Sequence, residues 1–183
     1  MFFFAILIGF LLVLLFYVLS VYNSLAKMKV QIQEAWSGVD IQLKRRVDMI
    51  PNLVETVKGY AKHEQSVFEN VTKTRAALMS AKNPQDADKA NNMLTDALKS
   101  LFAVAENYPD LKASENFRSL QGEIADTETK VAYSRQFYNA AVRDYNSKLV
   151  VFPNTLIANT FGFKSETFFE AAVAEREPVK VAF

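Results

Sequence analysis

The fold of this chain is decided by the stretch Ala35–Glu64, AWSGVDIQLKRRVDMIPNLVETVKGYAKHE. Apolar residues recur at helical spacing on both sides of Pro51, so the same face continues across the proline. Inside a helix, Pro51 lacks the N–H that would bind the carbonyl of Val47, and its ring clashes there. Two structures remain open: a kink at Met49–Ile50, or a helix that ends near Val47 and restarts with Pro51 in its first turn. Both keep the next helix in the same bundle.

Composition and charge narrow the class of protein. The 183 residues include 21 Lys and Arg against 20 Asp and Glu, so we expect no nucleic-acid partner, which would require a strongly basic face. The absence of cysteine excludes disulfides and thiolate metal sites. Five glycines and five prolines, with long periodic stretches between them, are typical of an all-α protein with few turns.

The N-terminal sequence predicts a membrane anchor. Phe2–Leu19 is apolar throughout, close to the ~20 residues that cross a bilayer core. A cleaved signal peptide is the alternative, but no basic residue precedes the run and no good cleavage site follows it. We expect residues 1–22 to stay in the lipid bilayer as a single-pass anchor. The first charged residues, Lys27 and Lys29, lie after the anchor, which predicts an N-terminus outside and a C-terminal body in the cytoplasm.

Beyond the anchor, apolar residues continue in steps of four and three without a turn signal, so the anchor is expected to run directly into a helix. The same pattern predicts three further helices, at about Pro51–Ala81, Pro84–Asn107 and Ser114–Phe152. Met93 and Phe152 are among the positions expected to face inward. The predicted architecture is one transmembrane helix continuing into an elongated antiparallel four-helix bundle over residues 23–153, followed by a short tail.

The C-terminal segment, residues 154–183, is rich in phenylalanine. Four of these residues fall within nine positions: Phe161, Phe163, Phe168 and Phe169. One interpretation is a short helix that caps the end of the bundle, followed by a tail. The other is a contact between subunits, because large exposed apolar residues usually mark an interface. Both remain open.

Several motifs resemble the LemA family. They are the run from Trp36 to Glu64, then AENYPDLKASENFRSLQGEIADTE and RQFYNAAVRDYN, with a similar membrane-proximal segment FYVLSVYNSLAKM. The likeness extends from Tyr22 to about Phe163. It implies a bacterial inner-membrane protein with one N-terminal transmembrane helix and an antiparallel helical bundle in the cytoplasm. It implies no reaction.

Lys44, Arg45 and Arg46 form the most obvious candidate interaction site. Three consecutive positions spread around a helix, so they cannot all face one partner. Asp40 and Asp48 lie at spacings that favour ordinary surface ion pairs. The alternatives are solvated or internally paired charge, and recognition of lipid headgroups or an acidic partner. The triplet begins about 33 Å beyond the anchor along a straight helix, well past a Debye length of about 8 Å, which favours a protein contact.

A second group of residues is expected to be structural. Tyr138-Asn139 and Tyr145-Asn146 are seven positions apart and share one helix face. If the last helix returns toward the membrane-proximal helix, these side chains would bridge helices with an apolar body and a polar tip. A binding patch is the alternative. Trp36 is expected to anchor the core between helices.

No reaction chemistry is visible in the sequence. His63-Glu64 is too small a set for a catalytic metal, which normally takes three protein ligands. The five glycines are isolated, so no phosphate-binding loop is present. We therefore expect no enzymatic activity, no cofactor and no metal.

Together these features predict a non-enzymatic membrane-anchored protein that forms homo-oligomers and serves as a scaffold or interaction module. The alternative is an adaptor that binds and regulates another membrane protein. Replacing Lys44, Arg45 and Arg46 with glutamine would discriminate between them, because loss of assembly favours the scaffold and loss of a partner favours the adaptor.

Overall fold

The computed structural model describes residues 1–169; residues 170–183 of the predicted tail, EAAVAEREPVKVAF, lie outside the described part. The helices are α1 (Phe2–Lys58), α2 (Gln65–Ser80), α3 (Pro84–Ala105), α4 (Pro109–Ala113), α5 (Glu115–Val150) and α6 (Asn154–Thr160). Residues 1–169 contain no strand, which confirms the all-α prediction.

The chain divides into two compact units. The first contains Met1–Ser37 and Gln136–Phe168, and the second contains Gly38–Arg135 together with Phe169. We call them the anchor unit and the bundle unit. At the predicted boundary, residue 22, the sequence changes from apolar to mixed composition, but the backbone does not change, because α1 continues through it as a helix.

In the bundle unit, α1 and α2 run antiparallel. Lys58 at the end of α1 lies 5.8 Å from the ring of Phe68 near the start of α2. Further back along α1, Val47 meets Arg75, seven residues later in α2. A rising number in one helix therefore pairs with a falling number in the other.

Helices α3 and α5 are also antiparallel in this unit. Thr95 donates a hydrogen bond to Glu128 at 3.5 Å. The rings of Phe102 and Phe117 meet edge to face at 6.2 Å. Buried aliphatic side chains from all four helices fill the space between them: Leu43, Ile50, Val71, Leu94, Leu98, Leu101 and Ile124.

Helix α1 passes through Pro51 without ending. Pro51 has no N–H for the Val47 carbonyl, so that oxygen lacks its intrahelical partner. Arg75 Nε, on α2, donates a hydrogen bond to this oxygen at 3.1 Å. The helix continues because a neighbouring helix supplies the donor that the proline removes.

The predicted helix Pro51–Ala81 is wrong in one respect. The chain leaves the helix after Lys58 and re-enters it at Gln65. Ala61 lies in this connection but is fully buried, so the apolar spacing from Val57 to Phe68 looks like an unbroken helix in the sequence. Burial of a connecting residue thus concealed the break.

Two expected core residues are exposed. Met93 lies one position before the buried Leu94, and adjacent positions of a helix point about 100° apart, so Met93 faces away from the core. Phe152 lies beyond the end of α5 and is exposed. The cap predicted at α3 is present, because the Asn83 side chain accepts a hydrogen bond from the Asp86 backbone N–H at 2.9 Å.

In the anchor unit, the first part of α1 and the last part of α5 run antiparallel. The rings of Trp36 and Tyr138 meet at 6.4 Å, and Lys148 donates a hydrogen bond to Ser24. The buried side chains follow the predicted seam of α1 and its counterpart on α5: Val21, Leu25, Ile32, Ala35, Val142, Tyr145 and Leu149.

The beginning of α1 is long and apolar enough to cross a membrane, by length and composition, and its side chains are not buried by the rest of the described chain. Phe2–Leu19 would span about 27 Å as a helix, close to the ~30 Å thickness of a bilayer core. This finding supports a membrane location.

Candidate functional site

The segment Phe163–Phe168 is extended and lies along α5 in the anchor unit. We call these residues the docked segment. Tyr145 Oη donates a hydrogen bond to the Lys164 carbonyl at 3.1 Å, and Tyr138 Oη donates one to the Thr167 carbonyl at 3.2 Å. Since the earlier tyrosine meets the later carbonyl, the docked segment runs antiparallel to α5.

Asn146 binds the middle of the docked segment through both of its polar atoms. Its Nδ2 donates to the Glu166 carbonyl at 2.8 Å, and its Oδ1 accepts from the Glu166 backbone N–H at 2.9 Å. One residue of an adjacent β-strand would satisfy Glu166 in the same way. The side chain therefore pairs with main-chain atoms, which any non-proline residue at that position would offer.

Helix α1 contributes side chains that contact the docked segment and the residues before it. Tyr22 meets Phe161 edge to face at 5.0 Å and Phe163 at 5.5 Å. Lys29 forms an ion pair with Glu166 at 3.8 Å. Both groups are partly exposed, so this pair contributes at most about 1 kcal/mol.

Together, α1 and α5 form what we call the docking groove: Tyr22, Lys29, Tyr138, Tyr145 and Asn146. Tyr22 and Lys29 contact side chains of the docked segment. Tyr138, Tyr145 and Asn146 form hydrogen bonds with its main chain. Such a division is typical of sites that recognise an extended peptide.

The electrostatics of the groove favour neutral, donating phenols. Burial raises the pKa of both Tyr138 and Tyr145 above the ordinary value, and the negative charge of Glu166 adds to the rise. Each hydroxyl therefore keeps the proton with which it binds a carbonyl at neutral pH.

The structure separates the three cations of the predicted interaction site. Lys44 is exposed and pairs with Asp48 at 3.3 Å, and Arg45 is exposed as well. Arg46 is only 1% exposed. The helix turns Arg46 into the bundle unit, so a surface formed by all three side chains does not exist.

Arg46 links three helices of the bundle unit. Its Nη1 donates to Asn91 Oδ1 of α3 at 2.6 Å, and Nη2 lies 3.6 Å from a carboxylate oxygen of Glu128 on α5. Burial lowers the pKa of its guanidinium, and the charge of Glu128 opposes that effect. Nε of Arg46 and Oε1 of Gln42, one turn apart, are both buried without a hydrogen-bond partner. The arrangement serves to hold the helices together.

The four phenylalanines have different environments. Phe163 is half-buried in the docking groove, and Phe169 is buried in the bundle unit, 5.1 Å from the guanidinium of Arg135. Arg135 in turn pairs with Asp88 of α3. Phe161 remains 52% exposed and Phe168 44% exposed. Phe161, Phe163 and Phe169 thus contact their own chain, while Phe161 and Phe168 keep exposed surface.

The Tyr-Asn motifs have a partner that the sequence did not indicate. We expected them to bridge helices, and the ring of Tyr138 on α5 does pack on Trp36 of α1. The polar ends of Tyr138, Tyr145 and Asn146 bind the docked segment instead of a second helix, and Asn139 is half-buried. Trp36 of α1 is half-buried and packs edge to face on Tyr138 of α5. No local sequence pattern could reveal that the Tyr-Asn motifs bind the docked segment, because an extended main chain has no apolar periodicity.

The other predicted residues lie at the surface of the bundle unit. Asp40, Pro51 and His63 are exposed. Among residues 1–169, no three His, Asp or Glu side chains come together in a group able to hold a metal ion.

Comparison with known proteins identifies the family. The LemA family model matches residues 35–183. The LemA protein of Metamycoplasma hominis is 27% identical over 161 residues, which covers 86% of this chain and 72% of that protein. Magnetosome protein MamQ 1 of Paramagnetospirillum magneticum is 24% identical, and magnetosome protein MamQ of Magnetospirillum gryphiswaldense is 22% identical; each match covers 86% of this chain and 68% of the relative. Since the family model spans most of the sequence, from residue 35 to residue 183, this chain belongs to the LemA family.

Proposed function

We propose that this protein is a non-enzymatic scaffold of the bacterial inner membrane, which is anchored by α1 and works by assembling with copies of itself. The observation that carries the proposal is the exposed aromatic surface of Phe161 and Phe168, on either side of the segment that the docking groove holds within the same chain. A groove of this kind holds a peptide through hydrogen bonds and aromatic contacts. It suits a module that acts by contact.

Residues 161–168, which are the docked segment and the two residues before it, also leave apolar surface available for a second copy. Phe161 and Phe168, at the two ends of this region, keep about half of their surface exposed. Exposed aromatic side chains of this size favour association. We therefore place the subunit contact at these two residues.

The oligomeric state of the full chain in mild detergent tests the proposal. Size-exclusion chromatography with light scattering should give more than one copy per particle, and Phe161→Ser with Phe168→Ser should reduce that number. Tyr133→Ser is the matched control, because Tyr133 is an exposed aromatic residue of α5 outside this region. A single copy per particle at every protein concentration would remove the scaffold proposal.

The adaptor remains the second candidate, and the exposed Lys44 and Arg45 favour it. Its test must leave Arg46 unchanged, because glutamine at that buried position would disturb the bundle unit. Lys44→Gln with Arg45→Gln should abolish capture of a membrane-protein partner and leave self-assembly intact if the adaptor proposal holds. Unchanged capture by this double variant would exclude an adaptor that uses these cations.

The proposed orientation places the N-terminus outside and the bundle unit in the cytoplasm. The support is the distribution of charge, with Lys27 and Lys29 immediately after the apolar run and no charged side chain before it.

A further inference from the structure

The end of α5, the start of α6 and the connection between them carry a cluster of exposed apolar side chains in the anchor unit. Val150 is 76% exposed and Phe152 is 75% exposed, and Val151 and Leu156 beside them are also exposed. Soluble surfaces rarely present four large apolar side chains within seven positions, and such patches mark protein or membrane contacts. We call Val150–Leu156 the apolar corner.

The apolar corner lies beside the predicted membrane span. Tyr17, near the end of the apolar run of α1, donates a hydrogen bond to Asn154 Oδ1 at 2.9 Å. Lys148 donates one to Ser24, seven residues further along α1, or about 10 Å. Helix α5 therefore returns toward the span, and the apolar corner reaches the level of Tyr17, where a spanning helix leaves the hydrocarbon.

The charges around the corner suit an anionic lipid surface. Residues 145–165 contain two lysines, Lys148 and Lys164, and no Asp or Glu. The nearest acidic residues on either side are Asp144 and Glu166. In segments that insert into a membrane interface, apolar side chains usually enter the lipid and nearby lysines extend their ammonium groups to the headgroups.

We propose that the apolar corner is a second membrane contact, which inserts Val150, Val151, Phe152 and Leu156 into the interface of the same bilayer that α1 crosses. The inference rests on the proposed anchoring by α1, and it goes beyond it. With two contact points, the end of α5 is held at the membrane, and the docking groove lies just beneath the headgroups. The occupant of this apolar surface is lipid.

A single tryptophan placed at the corner tests the inference in the full chain. Trp36, the one native tryptophan, is replaced by phenylalanine, and the reporter is Phe152→Trp. In liposomes containing anionic lipid, its emission should shift to the blue, resist quenching by acrylamide, and be quenched by lipids brominated near the top of the acyl chain. Helical content measured by circular dichroism verifies that each variant is folded.

Two further reporters make the result decisive. Phe137→Trp is the matched control, because Phe137 is exposed on α5 about 20 Å before Val150 and should remain accessible to acrylamide. Phe10→Trp reports on the span itself and should be quenched by lipids brominated deep in the chain. Quenching at position 10 but not at position 152 would overturn the second contact and leave the anchor in place. Quenching at neither position would overturn the anchor as well, and equal lipid quenching at positions 137 and 152 would show that the contact does not lie at the corner.

Discussion

Asn146 is the side chain of the docking groove whose removal should have the most specific effect. Asn146→Leu keeps the branching at Cγ and removes both hydrogen bonds to Glu166, at 2.8 and 2.9 Å. The two main-chain groups of Glu166 then lose their partner, while the helix and its buried neighbours stay unchanged. We expect the docked segment to open locally without unfolding of the chain.

The size of the effect follows from the two bonds. A protein hydrogen bond contributes a net ~0.5 to 1.5 kcal/mol, so the substitution should weaken docking by about 1 to 3 kcal/mol. Since each 1.4 kcal/mol is a factor of ten, the population of the open segment should rise by about fivefold to a hundredfold. The amide of Glu166 reports this directly, because its hydrogen is the one that Asn146 Oδ1 accepts.

Hydrogen exchange at neutral pH, resolved to peptides that cover the docked segment, is the appropriate assay. Protection of the Glu166 amide should fall by the factor above, while peptides from α3 in the bundle unit should exchange as before. Gln136→Leu is the matched control, since Gln136 is an exposed polar residue of the same helix. Unchanged protection of Glu166 in Asn146→Leu would refute the reasoning, because it would mean that the asparagine does not hold the segment.

Three other outcomes follow from particular contacts. Arg75→Met should lower the free energy of unfolding in urea by about 1 to 3 kcal/mol, because the Val47 carbonyl left unpaired by Pro51 loses its donor. In a chain that also carries Pro51→Ala, the same substitution should cost much less, because the N–H restored at position 51 binds that carbonyl. An equal cost with proline and with alanine at position 51 would contradict this explanation. Since the pKa values of Tyr138 and Tyr145 are raised, docking is fully stabilised below the ordinary tyrosine pKa of about 10 and weakens as the pH rises through the higher values of the docked state. A tyrosinate absorbance titration should therefore show a late-titrating class that disappears when both are phenylalanine, and a curve unchanged by that replacement would count against it. In a chain without native cysteine, Ser119→Cys should react with a membrane-impermeant maleimide only after cells are opened, and labelling of intact cells would reverse the proposed orientation.

Much of the fold could be predicted because it is encoded in local periodicity. The apolar steps of α1 through Val21, Leu25 and Ile32 are buried as expected, and the Asn83-Pro84 signal does start a helix. The break after Lys58 escaped prediction, since Ala61 is buried outside any helix. Periodicity records which side chains are buried and does not record whether the backbone between them is helical.

The candidate site was less predictable, because its contacts join residues distant in sequence. The hydroxyl of Tyr138 binds a carbonyl 29 positions later, and Arg46 reaches an asparagine 45 positions later. Within the cationic triplet, helix rotation indicated that the three side chains diverge. Only the packing of α3 and α5 decides that Arg46 is the one that becomes buried.

Counting copies in a membrane tests the central claim most directly. The full chain, labelled once with a fluorophore at an introduced cysteine and reconstituted in liposomes at low density, can be counted by its photobleaching steps. The account predicts that most particles bleach in more than one step and that Phe161→Ser with Phe168→Ser shifts them to one step. Single-step bleaching of the unaltered protein at every protein-to-lipid ratio would contradict a scaffold that works by assembling with itself.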